Sequence, residues 1–536
     1  HYDVKPDLIC CGKGMGSGFP IAGVITNNKV MDNKYVSGLS STHSANPVSC
    51  EAGAATIDYL NNKKVIKNSK ILGLIFHEEL KKLNHTYSDL YNLTNEYYSF
   101  FKLNLIKGEV INVILPYSLD FVAIILAARL NKNVLCIINP NHTGFEKNSI
   151  LDQSNYSMIL SQKPILSINK KFKNIFYRLK KSNFKLQLKD AFIVFTSGTT
   201  SKPKGAILTD NSIKNNVKGI ISQLNFNTKD RTIIYSPPNY AMGISQVITF
   251  LYLKSSFIFD NEGIKFSSNF LSKIKKYKIT ILNLNVASFR YLKIFKKKYK
   301  LPHLKTIMGG GMKMKVSDAT EIFNFFQNKY LVNFYGCTEN SPRVSHLMIT
   351  KSQLKEYKNN EMLPVGKPLR GTKIFIRSKN NDINKKGEII LKGNSLMRGY
   401  LNSKKKPIKI KEYRTKDIGF LTSNKNLYLI GRLDNIFKSG NEKIYPEEIE
   451  DKIAPFIKNK SFIVIKKKHE ILNWQPVLVI EGKKNISDQN LLTKIDKNLS
   501  NFKMPKEIYY LKNFFRNNYG KIDRNKIYNH FTKYVN

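Results

Sequence analysis

The sequence predicts an α/β protein built on a parallel sheet, with a smaller α+β unit toward the C-terminal end. Three observations carry that expectation. From Val110 onward, apolar strand-type runs alternate with helix-type stretches, the pattern of strand–helix–strand units. The apolar run 191–195 leads directly into a loop crowded with glycine, hydroxyl and lysine side chains. After Arg432 the elements become shorter and mixed.

Taken in order, Tyr87, Ser88, Asp89 and Leu90 read as the start of a helix, followed by a strand at 110–115, a helix at 118–130 and a strand at 134–138. The stretch 110–130 is the most apolar in the chain. Pro116, Asp120 and Arg129 interrupt it, so it reads as strand, turn and buried helix rather than a membrane span. Similar alternation predicts strands at 279–284 and 304–308, a helix opened by Ser317, and a strand at 331–334. Beyond Arg432, Pro446 marks a helix start. Strands near 461–465 and 477–480 and a helix after Ser487 complete the smaller unit. No internal repeat is visible.

Composition narrows the functional classes. At 536 residues the chain can hold several cores, because single cores stop growing at roughly 250–300 residues. A hydrophobic content of 42%, with 28 tyrosines and 32 phenylalanines, excludes a disordered chain. The five cysteines (Cys10, Cys11, Cys50, Cys136 and Cys337) show neither metal-ligand spacing nor a disulfide framework, which suits a reducing cytoplasm. The nine histidines are scattered, so no protein-bound zinc site is expected. The opening residues carry no signal-peptide pattern. The net charge of +49 raises the question of a nucleic-acid partner. The lysines, however, are spread along the whole chain together with abundant asparagine and isoleucine, as compositional drift would produce. No helix-turn-helix, zinc-finger or RNA-binding aromatic motif accompanies them. A solvated basic surface is therefore expected, with no specific nucleic-acid partner, and its field favours the approach of anionic ligands at low salt.

The loop after the 191–195 run reads Thr196, Ser197, Gly198, Thr199, Thr200, Ser201, Lys202, Pro203, Lys204 and Gly205. Glycines let a backbone approach a ligand closely, hydroxyls and free N–H groups donate to phosphate oxygens, and lysine neutralises charge. Further motifs follow in a fixed order. They are Tyr335, Gly336, Cys337, Thr338, Glu339; then Tyr413, Arg414, Thr415, Lys416, Asp417; then the segment from Gly431 and Arg432 through Asp434 to Glu450; and finally Asn518, Tyr519, Gly520, Lys521, Ile522, Asp523, Arg524. In these motifs and their order the chain resembles the adenylate-forming enzymes: acyl-CoA synthetases, aryl-CoA ligases and peptide-synthetase adenylation domains. The resemblance implies the adenylate-forming enzyme fold, with a large N-terminal α/β domain over 84–431 and a small mobile α+β C-terminal domain over 432–536.

It also implies the chemistry. Such enzymes join a carboxylic acid to AMP, release pyrophosphate, and pass the acyl group to a thiol (coenzyme A or a carrier-protein arm) or to an amine. Thr196, Ser197, Gly198, Thr199, Thr200 and Lys204 would enclose the β- and γ-phosphates of ATP. Glu339 would hold Mg²⁺, a hard cation that prefers oxygen ligands. Thr338 would donate to the α-phosphate, Tyr335 with Gly336 would lie beside the adenine, and Asp417 would accept from the ribose hydroxyls with Arg432 next to it. Lys521 would bridge the acid carboxylate and the α-phosphate, offsetting charge that grows in the transition state. Asp434 matches the hinge residue about which the small domain turns. Tyr240, in the run Pro238, Asn239, Tyr240, Ala241, Met242, Gly243, and Gly310, within Gly309, Gly310, Gly311, would line the acyl pocket. The chain departs from the usual pattern at Ser201, where glycine is common, at Lys416, where glycine usually precedes the aspartate, and at Phe437 before Lys438.

The first residues resemble another family. The run from Pro6 through Gly12, Lys13, Gly14, Gly16 and Gly18 to Pro20, with Ser41, Thr42, His43 after it, is similar to the cofactor-lysine segment of class III aminotransferases. Residues 1–83 are then a fragment of a fold-type I aminotransferase. Lys13 would hold pyridoxal phosphate as a Schiff base and Thr42 would reach the phosphate of a neighbouring subunit's cofactor, implying a homodimer when that part is complete. The alternating glycines give no G-x-G-x-x-G at any offset, so no dinucleotide fingerprint is present. The chain is expected to be a piece of a longer fused protein, and this segment is not expected to transaminate by itself. Two other readings stand beside the ligase: a protein that is mainly a pyridoxal phosphate transaminase, and an inactive binding protein that keeps the fold. The retained Lys204, Glu339, Asp417 and Lys521 argue against the inactive one.

Overall fold

The computed structural model describes residues 8–11, 23–26, parts of 51–58, and 85–535 apart from 165–169, 197–202, 294–300, 378–385, 402–409, 441, 458–459, 485–487, 497–498, 500–502 and 517–521. The chain divides into two compact units, His1–Asp89 and Leu90–Asn536. In the first, β1 (Leu8–Cys11) and β2 (Gly23–Thr26) form an antiparallel pair.

The rest begins with α1 (Tyr87–Asn104), whose Tyr97, Phe100 and Phe101 are buried. The predicted strand, turn and helix at 110–130 become β3 (Val110–Ile114) and α2 (Leu119–Leu130), capped by Ser118, whose side chain accepts from the Phe121 N–H. After β4 (Val134–Ile137), α3 (Gly144–Ser154), β5 (Met158–Ser161), β6 (Lys170–Phe172) and β7 (Ile175–Leu179) come β8 (Asp190–Thr196) and β9 (Lys204–Thr209). These strands lie side by side in the order β9-β8-β4-β3-β5-β7-β6, with β8, β4, β3 and β5 parallel. Their near-continuous apolar composition fits a sheet covered on both faces. Phe121 and Phe192 are almost fully buried there, each burial stabilising the fold by about 1.5–3 kcal/mol.

A second sheet follows. Helix α4 (Asp210–Leu224), opened by a Thr209–Ser212 capping box, leads to β10 (Arg231–Ile234), α5 (Ala241–Tyr252), β11 (Ser256–Phe259), α6 (Ser267–Lys276) and β12 (Ile281–Asn283). Next come α7 (Val286–Lys293), β13 (Thr306–Gly310), α8 (Val316–Phe326), β14 (Tyr330–Gly336), β15 (Arg343–Ile349) and β16 (Lys367–Pro368). The sheet order is β11-β10-β12-β13-β14-β15-β16, parallel from β11 to β14 and antiparallel beyond. Helix α5 packs one face (Ala241, Ile244, Val247) into the core of the first sheet and the other (Met242, Phe250) against Met308, Val332 and Phe334 of the second. The helix expected to open at Ser317 begins at Val316 instead. Lys315 is its N-cap, because its backbone N–H donates to the Asp318 carboxylate at 3.2 Å.

A four-stranded antiparallel sheet, β17-β18-β20-β21, comes from β17 (Thr372–Arg377), β18 (Gly387–Gly393), β20 (Tyr413–Leu421) and β21 (Leu427–Arg432). Between β18 and β20 the short β19 (Gly399–Tyr400) joins β9 and completes eight strands in the first sheet. The C-terminal part holds a β22 (Phe437–Ser439) and β23 (Glu442–Ile444) hairpin, α9 (Pro446–Ile453), β24 (Phe462–His469), β25 (Asn473–Glu481), α10 (Asp488–Asp496), β26 (Ile508–Leu511) and α11 (Arg524–Val535). Pro446 occupies the first helical turn of α9, as expected.

Candidate active site

Residues from distant parts of the chain meet at the carboxyl end of β14. Because side chains alternate along a strand, Phe334 and Tyr335 lie on opposite faces. On one face the Tyr335 hydroxyl donates a short hydrogen bond to Asp417 Oδ2. Asp417 and Arg432 are direct register partners on β20 and β21, and Arg432 Nη1 donates to Asp417 Oδ1 at 2.7 Å. The Asp417 N–H donates to Thr415 Oγ1 at 3.0 Å, and that hydroxyl donates to the Ile389 carbonyl at 2.9 Å, which fixes the bend of β20. Burial first, then the Asp417 charge, raises the Tyr335 pKa well above its ordinary value, so the phenol stays a donor.

Beyond the strand, Gly336 and Cys337 lead into a tight turn, Thr338–Asn340. An added Cβ at Gly336 would strike the Pro342 carbonyl, so only glycine fits that close return of the chain. Glu339 is buried and Thr338 half-buried. Glu339 Oε1 accepts from the Tyr400 hydroxyl at 2.7 Å, and the Tyr413 hydroxyl lies 3.4 Å from that of Tyr400. Cys337 sits between the two carboxylate sites: burial raises its thiol pKa, and the charges of Glu339 and Asp417 add to the rise.

Tyr400 is held in place by its neighbours. Arg398 makes a buried bidentate pair with Asp190, both N–O distances 2.7 Å, and the Leu401 N–H donates to the Gly205 carbonyl at 2.6 Å. These bonds bring Tyr400 beside Lys204, whose ammonium is 5.7 Å from the ring centroid. Lys204 is exposed and opens β9 opposite Thr196, the last residue of β8, whose hydroxyl donates to the Lys204 carbonyl at 3.3 Å.

Other expected site residues sit as follows. Gly310 ends β13 as the register partner of Phe334, and a Cβ there would overlap the Phe334 ring. Tyr240 is the half-buried N-cap of α5. Asp434 lies in the turn Leu433–Asn435, 3.1 Å from Lys416 Nζ and 3.6 Å from Arg432 Nη2. Lys416 has φ +61°, the left-handed backbone that glycine adopts freely, which explains why glycine is usual there. Ser197, Gly198, Thr199, Thr200, Lys521, Lys13 and Thr42 lie outside the described residues. Among the described residues no group of three or more His, Cys, Asp or Glu could hold a metal ion, and no helix is long and apolar enough to cross a membrane.

Sequence reasoning did not single out Tyr400 or Arg343. Tyr400 stands on a two-residue strand with no periodic signal. Arg343 follows the Thr338–Glu339 motif by only a few residues, and its burial beneath Phe334 depends on β14 pairing with β15.

The AMP-binding enzyme family model matches residues 77–401, more than half of the chain, and the class-III aminotransferase model matches residues 1–94. Gramicidin S synthase 2 of Brevibacillus brevis is 23% identical over 503 residues, which is 88% of this chain but 11% of that protein, so the chain corresponds to a small part of it. The 2-succinylbenzoate–CoA ligase of Listeria monocytogenes is 30% identical over 347 residues, 63% of this chain and 69% of the ligase. O-succinylbenzoate coenzyme A synthetase (MenE) from Bacillus subtilis, solved in complex with ATP and magnesium ion, superimposes with a TM-score of 0.68 at 20% identity, covering 83% of this chain and 94% of that one. That superposition gives the same mixed α/β fold. With the described motif residues meeting around β14, the chain belongs to the AMP-binding enzyme family, and its first residues form a stretch similar to class-III aminotransferases.

Proposed function

We propose that this protein activates a carboxylic acid with ATP and then passes the acyl group to a thiol, of coenzyme A or a carrier arm, or to an amine. The observation that carries the reading is the pairing of two carboxylate sites across Cys337. Asp417 is gripped by Tyr335 and Arg432, and Glu339 is held by Tyr400 beside Lys204. The first suits a ribose diol, since Asp417 keeps acceptor capacity while Arg432 fixes its orientation. The second suits a hard cation such as Mg²⁺ together with phosphate groups, which Lys204, Thr196, Ser197, Gly198, Thr199 and Thr200 would enclose.

In the reaction, a carboxylate oxygen of the acid forms a bond to the α-phosphorus. The bond from that phosphorus to the bridging oxygen breaks, and pyrophosphate leaves. Holding the anionic groups in one place supplies the orientation and charge compensation that this step needs. Thr338 donates to the α-phosphate, Lys521 spans carboxylate and α-phosphate, and Tyr240 and Gly310 border the acid. The large domain is 84–431, the small one 432–536, with Asp434 as the hinge. The cysteine pattern suits the cytoplasm.

The test is acid-dependent ATP–pyrophosphate exchange by the full chain over fatty, aryl, hydroxy and amino acids. Exchange lost in Lys204→Ala and Lys521→Ala supports the reading, and silence from folded protein across the panel counts against it. A second activity is proposed for the first unit on the match over residues 1–94. On that reading Lys13 would bind pyridoxal phosphate, with Thr42 completing a partner's site in a homodimer. A visible cofactor absorbance lost in Lys13→Ala would support that, and none in the wild type would sink it.

A further inference from the structure

On the face of β14 opposite Asp417, several polar side chains are buried without hydrogen-bond partners among the described residues. Arg343, 3% exposed, stacks its guanidinium on Phe334 at 3.6 Å, yet its Nε and Nη1 have no partner among the described residues. Asn283, 7% exposed, and Gln246, 6% exposed, each leave both amide atoms unpartnered. His346 Nδ1 is unpartnered too.

These groups gather at one end of the sheet. Asn283 ends β12 opposite Met308, Gly310 ends β13 opposite Phe334, and Phe334 is opposite His346. Arg343 opens the antiparallel β15, so it lies at the same carboxyl end of the parallel strands, where open α/β sheets take their ligands. Gln246 falls four residues after Met242 and four before Phe250, the residues through which α5 faces this sheet, so it shares their helix face. The Phe334 ring packs directly over Gly310 and separates it from these groups. Buried amides and guanidinium groups without protein partners are costly, so a ligand, an ion or bound water has to supply the missing bonds. Burial lowers the Arg343 pKa to about 9.

We infer that the acid activated here carries a second carboxylate, received by Arg343 with Gln246 and Asn283 at the end of the second sheet. The inference rests on the ligase reading and deepens it. An unbranched monocarboxylic acid would leave the cation and both amides unsatisfied, whereas a second carboxylate accepts from Arg343 in a charge-assisted pair and from the two amide nitrogens. Arg343, rather than the residues that hold the nucleotide, would then set which acid enters.

The experiment uses the full chain and thermal unfolding with matched pairs of acids, pentanoate against glutarate and hexanoate against adipate, with and without ATP and Mg²⁺. In the wild type the dicarboxylate of each pair should raise Tm at lower concentration than its partner. In Arg343→Met the ratio of dicarboxylate to monocarboxylate affinity should fall about 10–100-fold, the worth of a charged hydrogen-bonded pair. Arg343→Lys should restore part of the ratio. Without ligand, Arg343→Met should unfold at a higher temperature than the wild type, because an unpaired buried cation has been removed. If Arg343→Met fails to fold, Gln246→Leu should lower the same ratio. Equal responses within each pair, no response to any acid, or a ratio unchanged in both variants would overturn the inference. A Tm shift with ATP and Mg²⁺ that survives such a result would leave the ligase reading standing, and its absence would sink that reading instead.

Discussion

Asp417 shows how much one side chain can be asked to hold. Tyr335 occupies one of its oxygens and Arg432 the other, and Arg432 also reaches the Thr415 carbonyl at 3.2 Å. Asp417→Asn keeps the shape and removes the charge. Losing charge-assisted bonds should raise the KM for ATP about 10-fold or more, measured by pyrophosphate exchange at varied ATP, and an unchanged KM would sink the ribose role. Lys416, next to it, makes a different point. Its left-handed backbone is strained for any residue with a Cβ, while its ammonium makes only an exposed ion pair with Asp434. Lys416→Gly should therefore stabilise the protein by about 0.5–1 kcal/mol. Lys416→Ala, which keeps the Cβ and drops the ion pair, should change stability by no more than about 0.5 kcal/mol. Denaturant unfolding of the two variants separates the effects.

At the scale of elements, the strand ends need a glycine where β13 meets β14. Gly310→Ala drives a methyl group into the Phe334 ring and should cost about 1–3 kcal/mol, with most of it recovered when Phe334→Leu is added. Strand β25 is tied to the chain just before the Lys521 segment. Arg516 Nη1 lies 2.6 Å from Glu481 Oε1, which also accepts from the Phe514 N–H at 2.8 Å. These bonds hold the Glu481 carboxyl down at about 2, from an ordinary 4.5. The folded value is depressed, so this stabilisation is complete above about pH 4.5 and is lost as pH falls toward 2. Urea unfolding at pH 5 and pH 3 should show the wild type losing more stability than Glu481→Gln. Elements of this kind were largely legible in the sequence, since β3, α2, β4 and β14 announce themselves through local periodicity. Tyr400 and Arg343 were not, because β19 is two residues long and Arg343 is buried only once β14 and β15 pair.

For the whole molecule, charge outweighs other bulk properties. A net charge of +49 draws polyphosphate anions toward the surface. The association rate of ATP should fall steeply between low and physiological salt, roughly 10-fold or more, with a much smaller change in dissociation. Stopped-flow binding at two ionic strengths measures both. Within Leu90–Asn536, ion pairs also link the sheets to α9: Lys313 with Asp451 at 2.6 Å, and Lys386 with Glu448. The same salt series therefore tests whether the C-terminal part loosens from the rest.

Strand β14 has a further consequence. Phe334 and Tyr335 are successive letters in one strand, the first on the face proposed for the acid and the second on the face proposed for the nucleotide. Drift at either position cannot stay local, because a shift of the strand carries both readings at once. Relatives that have changed their acid should have done so through the helix and the neighbouring strand that face Phe334, leaving β14 itself as the fixed spine between two independently written vocabularies.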